Sequence, residues 1–419
     1  MATLTLEPRE RAYLRELARK QREYAALPIM EQRRQAWQEH NAGRGGPPIV
    51  VVDVPGDAQL EMFPALRCVS PAARAIESQL LFWISNHEIV DDDKVVPDFF
   101  SVTQRVWCRL CNLDIPNTRA RDLSGREWGY HWDPPIKDLR QDFHLLQPSA
   151  WGVDRVATAA WRAFAEDVLG DILFVVVKNT SLAWVGALVG RALRLMGMEN
   201  MLYSMLDYPE EFHRMMAFLK DDLLAWIRWQ ESEGLLTLNN DNDYAGSGSY
   251  GFTDALPSEE CKRTGQVRAQ DLWFNMNAQE MVGVAPAMYG EFVAPYFHDL
   301  AREFGLIYYG CCEPVHEVWE PWLRTLPHLR KVSVSPWCNE EAMGEYLRGT
   351  RVIYCRKPSP NYLAVTSDLD EEAYAQHIRR SVQAATGCTL EISLRDLCTL
   401  GGRPDNLTRA VQIIRRELD

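Results

Sequence analysis

Apolar runs of strand length recur along this chain, each closing on polar residues and separated from the next by amphipathic stretches of helix length. IVVVDVP (49–55) comes first, directly after a break made by Gly43, Gly45, Gly46, Pro47 and Pro48. A weaker candidate lies near 95–101. Then follow ILFVVVKNT (172–180), LLTLNNDND (235–243), DLWFNMNAQE (271–280), GLIYYGCCE (305–313), KVSVSPWCN (331–339), RVIYCRKPS (351–359) and TLEISLRDLC (389–398). Ahead of them, residues 6–41 carry helical periodicity, Glu7 to Leu27 and then Ile29 to His40, split at Pro28. Alternating strand and helix implies a parallel sheet. With about eight such units, the expected fold is a closed (β/α)8 TIM barrel spanning 49–419, preceded by a helical arm at 1–48.

In such a barrel the polar residues that end each strand face the active site. That rule selects Asn179, Asn240, Asp241, Asn275, Gln279, Cys312, Glu313, Lys357 and Cys398, with Tyr244, Tyr250, Trp273 and Trp337 as aromatic walls. Two other motifs carry less. GSGSYG (246–251) matches the dinucleotide pattern G-x-G-x-x-G, but it follows NDNDY rather than an apolar strand and opens no helix. It reads better as a flexible glycine loop over a pocket. His316-Glu317 resembles the start of a zinc-protease helix, but residue 320 is Glu where a second histidine is needed.

Charge and composition narrow the functional classes. The net charge is −13, from 45 basic and 58 acidic residues, and there is no basic block, which argues against nucleic acid or an anionic membrane as partner. No apolar run approaches the ~18 residues of a spanning helix. The charged start MATLTLEPRERAYLREL lacks a signal-peptide core. Ten cysteines in that setting suggest reduced thiols and a cytoplasmic location.

Cys312 and Cys398 end two different strands and would meet on one rim, either as zinc ligands or as packed thiols. At this point a resemblance enters. ILFVVVKNTSLAWVGALVGRALRLMGMENMLYSMLDYPEEFHRMM, FGLIYYGCCEPVHEV and DLCTLGGRPDNLTRAVQIIRREL together resemble the uroporphyrinogen decarboxylase-like superfamily, which includes zinc- and corrinoid-dependent methyltransferases. The resemblance implies zinc on Cys312 and Cys398. The family's histidine falls on Gly310, so Glu313 is the first replacement ligand, with Cys311 and His316 as rivals. It further implies transfer of a methyl group between a small methylated compound (a methoxylated aromatic or a methylated amine) and a thiol or a corrinoid. The chain has no corrinoid-binding motif of the Asp-x-His-x-x-Gly kind, so a partner protein would carry that cofactor. A homodimer is left open. Asn240, Asp241, Tyr250, Trp273, Asn275, Gln279 and Lys357 would bind the substrate. The alternative is a metal-free decarboxylase or lyase on the same barrel, acting on a small carboxylated compound. The decarboxylase branch's arginine-rich N-terminal stretch has no counterpart near 40–60.

Overall fold

Six of the anticipated strands form one parallel sheet in the computed structural model, which describes residues 4–121, 127–365 and 368–419. In chain order the strands used below are β1 (Ile49–Val52), β2 (Phe99–Thr103), β3 (Phe174–Lys178), β4 (Tyr244–Gly246), β5 (Ser249–Tyr250), β6 (Trp273–Met276), β7 (Leu306–Tyr309), β8 (Leu329–Val334), β9 (Ile353–Arg356) and β10 (Leu390–Leu394). The sheet runs β1-β10-β9-β8-β7-β6, every pairing parallel. Each strand in it is a four- to six-residue run dominated by buried side chains, as expected of a sheet covered on both faces. β2 and β3 make a separate parallel pair.

The closed eight-stranded barrel is therefore corrected: among the described residues the hydrogen-bond ladder does not close. The reason lies in the side chains at the two gaps. Beside β1, the Asp93 and Asp92 carboxylates accept from the amides of Val50 (2.7 Å) and Val52 (2.8 Å), taking the place of a neighbouring strand. Between β3 and β6, the stretch 235–243 expected as a strand forms no ladder. Instead Asn179 donates to Thr237 Oγ1 (2.8 Å) and the Leu235 carbonyl (2.9 Å). On the other side, Asn239 exchanges a pair of bonds with the backbone of Trp273 (2.9 and 3.0 Å). These polar side chains satisfy the open edges that a closed barrel would pair.

The arm is two helices, α1 (Pro8–Ala25) and α2 (Pro28–Asn41), each opening on a proline whose missing N–H costs nothing at that position. Leu14, Leu17 and Ala18 of α1 join a core with Ile76 and Leu80 of the helix Pro71–Ser85. α2 reaches the sheet interior. Trp37 and His40 are fully buried, and Asn41 donates to the carbonyls of Tyr250 and Phe252 (3.0 and 2.8 Å). No helix among the described residues is long and apolar enough to cross a membrane.

Candidate active site at the strand ends

The GSGSYG stretch, expected as a flexible glycine loop over a pocket, is a hairpin, β4–β5, and its Gly246 lines a cavity. Ser247 and Ser249 are fully buried. Gly248, at φ +89°, approaches β1 and β10 so closely that a Cβ there would fall 2.3 Å from Ser393 Oγ. Glycine is needed for both the left-handed backbone and the close approach. The hairpin thus fills the interior of the sheet and delivers Tyr244 and Ser247 to the ends of β1, β7, β9 and β10.

Four residues just beyond those strands meet it. From the end of β10, Arg395 donates from Nε to Asp53 Oδ2 (3.1 Å), beyond β1, and from one terminal nitrogen to Ser247 Oγ (3.0 Å) and Cys311 Sγ (3.5 Å). Lys357, beyond β9, donates to Ser247 Oγ and to the Cys311 carbonyl (2.9 Å), and is almost fully buried. Tyr244 accepts from the Gly248 amide (2.8 Å) and donates to Asp53 (3.4 Å). Two adjacent thiols complete the group, Cys311 Sγ and Cys312 Sγ standing 3.5 Å apart, with Asp396 Oδ2 3.9 Å from Cys312.

The charge balance favours a thiolate on Cys311. The hydrogen bond from Cys312 pulls its pKa down to about 5; burial opposes this, and Lys357 and Arg395 reinforce it. Cys312 is pushed up by the same bond and remains the thiol. Burial lowers the Lys357 pKa, and the Cys311 charge opposes that shift. Burial works against the Arg395 charge too, but Tyr244, Asp53 and Cys311 outweigh it and raise its pKa. Alkylation by a small neutral reagent should accordingly titrate with a midpoint well below the ordinary thiol range and vanish in Cys311→Ser. In Cys312→Ala the midpoint should move up toward the ordinary thiol range. A wild-type midpoint already in that range would contradict the assignment.

Beside this cluster lies a cavity of about 280 Å³ walled by Trp184, Tyr244, Trp273, Asn275 and the Lys178–Asp243 ion pair (2.9 Å). Trp184 and Tyr244 belong to both structures. The Arg395 guanidinium lies 4.9 Å over the Trp184 ring, and the two aromatic rings pack at 6.2 Å. Trp184 holds a left-handed backbone, φ +64°, a conformation that costs a bulky residue energy and concentrates at functional sites.

The residues chosen from sequence are dispersed around this centre. Trp273 and Asn275 line the first cavity, while Gln279 lines a second, which shares Ala183 and Trp184 with the first. Lys357 touches the Cys311 turn. Tyr250 is buried against Trp37, Asn240 ties down the Thr253–Leu256 turn, and Asp241 pairs with Arg34 of the arm; none of these three lines either cavity. Glu313 spends both carboxylate oxygens on backbone amides, Ala278 (2.9 Å) and Cys311 (2.8 Å), and so fixes the turn that carries the thiols. Burial raises its pKa. Gly310, at φ +98°, explains why no side chain stands where the resembling family has histidine: a Cβ would lie 3.1 Å from Ser333 Cβ in a backbone region L-residues rarely adopt. Cys398 is exposed, and His316 Nδ1 accepts from the Asn339 amide. Among the described residues, no three His, Cys, Asp or Glu side chains are gathered so as to hold a metal. As placed, Cys312, Glu313 and Cys398 do not fit a three-ligand zinc centre. Sequence reasoning missed Arg395, although the same strand-end rule marks it, and Trp184, whose backbone strain leaves no sequence signal.

Together, a parallel α/β sheet and a polar cluster at its strand ends define a fold that places its chemistry at the carboxyl edge. No family model and no curated protein sequence matches the chain. Among solved structures, a methyltransferase from Methanosarcina mazei is similar, with a TM-score of 0.50 and 12% sequence identity over 92% of this chain and 97% of that one. At that identity the likeness establishes shared fold.

Proposed function

We propose that the protein is a methyltransferase of the uroporphyrinogen decarboxylase-like superfamily. A small methylated compound, a methoxylated aromatic or a methylated amine, would seat in the aromatic cavity. The methyl group passes to a nucleophile brought to the strand-end mouth, either a thiol or the reduced corrinoid of a partner protein in the cytoplasm. The observation that carries this reading is the wall shared by the aromatic cavity and the Arg395–Lys357–Cys311 cluster. Trp184, Tyr244 and Trp273 give a methyl-bearing arene or cation an apolar, polarisable surface. Displacement at the methyl carbon breaks its bond to oxygen or nitrogen and forms one to the acceptor, and the leaving atom keeps the electron pair. Arg395, stacked behind the Trp184 ring of that wall, supplies fixed positive charge toward that atom. Asp53 and Ser247 hold the guanidinium in place, and the Cys311 thiolate acts as a positioning counter-ion for Arg395 and Lys357. A corrinoid, when bound, supplies a strongly nucleophilic metal centre. Zinc remains an expectation of the resemblance; no step here is routed through it.

The test is a panel of isotope-labelled methoxyarenes and methylamines incubated with the protein and either a free reduced corrinoid or a small thiol. Labelled methyl should appear on the acceptor by mass spectrometry. Release of carbon dioxide from carboxylated compounds, with no methyl on any acceptor, would overturn the reading in favour of the lyase.

A further inference from the structure

Two arginines in the second cavity have no part in the chemistry above. α3 (Leu188–Met196) carries Arg191 and Arg194 three residues apart, hence on one face, and both line a cavity of about 450 Å³ together with Trp132, Trp184, Asn277 and Glu280. Arg191 is 9% exposed, and its guanidinium makes no hydrogen bond or ion pair among the described residues. Arg194 lies 5.3 Å over the Trp132 ring, also without an ion pair among them. Asp222, the acid whose charge bears on Arg191, is already engaged by the Ser149 amide (2.8 Å) and hydroxyl (2.6 Å). Glu280, the acid whose charge bears on Arg194, is half-buried, with its Oε2 shielded from solvent and without a hydrogen-bond partner. Three other buried cations carry a carboxylate partner: Lys94 with Asp92, Lys331 with Glu391, Arg356 with Glu340. A buried guanidinium left without a partner, facing an open cavity, is costly unless a ligand completes it.

We propose that this cavity is a carboxylate subsite, in which Arg191 and Arg194 grip the acid group of a small aromatic or amphipathic ligand. The fork geometry of arginine suits a planar carboxylate, and the tryptophans suit an apolar body attached to it. The cavity meets the aromatic cup at Ala183 and Trp184. Resting on the methyl-transfer reading, the subsite therefore also names the substrate class: a methylated compound bearing a carboxylate, with its acid on the arginine side of Trp184.

Binding is read without turnover, so failure here and failure of methyl transfer are separable. Tryptophan fluorescence of the full chain is titrated with benzoate, with its uncharged analogue benzamide and with inorganic phosphate. Benzoate should bind at least about tenfold more tightly than either, and lose about tenfold or more in Arg191→Gln and in Arg194→Gln, while benzamide binding stays level. Arg191→Met should also raise Tm, because it removes a buried charge that nothing in the free protein neutralises. Equal binding of benzoate and benzamide, or benzoate affinity unchanged in both glutamine variants, overturns the proposal. Phosphate binding more tightly than benzoate overturns the carboxylate assignment. A marked fall in Tm for Arg191→Met would make the arginine structural and overturn it as well.

Discussion

Lys331→Met is expected to lower the free energy of unfolding by about 3–5 kcal/mol at neutral pH, the usual cost of leaving one half of a buried ion pair behind. Lys331 and Glu391 are both fully buried, with Nζ 2.9 Å from Oε2, and Lys331 also donates to Ser249 Oγ (2.5 Å). His40 of the arm stands 3.3 Å from the same carboxylate oxygen, and the rings of Trp37 and Trp273 lie 4.9 and 5.6 Å from the ammonium. Burial alone would raise the Glu391 pKa, but Lys331 and His40 hold it down to about 2. A carboxylate whose folded pKa lies below its unfolded value contributes stability above the unfolded value, near 4.3. That contribution is lost as pH falls toward about 2. His40, lowered by burial, adds a loss of the same sign as pH falls below its ordinary value. In Lys331→Met the Glu391 pKa should instead rise above the unfolded value, so that the carboxyl folds best when protonated. The stability gap to wild type should then be widest at pH 7 and shrink below about pH 4. Denaturant melts at several pH values check this. A gap that is constant with pH, or below about 1 kcal/mol at pH 7, would show that the pair does not depend on its cation.

This network also shows what the sequence could and could not reveal. KVSVSP and TLEISL declare their strands through apolar alternation, yet nothing in either run says that Lys331 and Glu391 face each other within the sheet interior, or that His40 comes from 291 residues before Lys331 to join them. Strand positions were legible because each is a short apolar or alternating run bounded by polar and turn residues. Closure was not, because it fails at Asp92, Asp93, Asn179 and Asn239, whose side chains replace ladder bonds and look like ordinary loop residues in sequence. The thiol pair was legible as chemistry at a strand end. Which sulfur carries the charge was not, since Arg395 and Lys357 arrive from other strands and Ser247 from a glycine-rich hairpin that reads as a flexible loop. Gly248 marks the limit plainly: it sits in a stretch matching a nucleotide-loop pattern, whereas its cause is a backbone so close to Ser393 that a Cβ would fall 2.3 Å from its Oγ.

The most direct test of the account replaces the charge at the wall between cluster and cavity. With the best donor found in the labelled panel, Arg395→Gln should lower kcat for methyl transfer by about 10²–10³-fold, the range seen when a fixed stabiliser of developing charge is removed. KM for the donor should change by less than about threefold, because the aromatic walls that bind it are intact. Thermal melts of the two proteins should nearly coincide, confirming that the comparison is between folded enzymes. Unchanged kcat in Arg395→Gln, or a loss confined to KM, would contradict the claim that the strand-end cluster performs the chemistry.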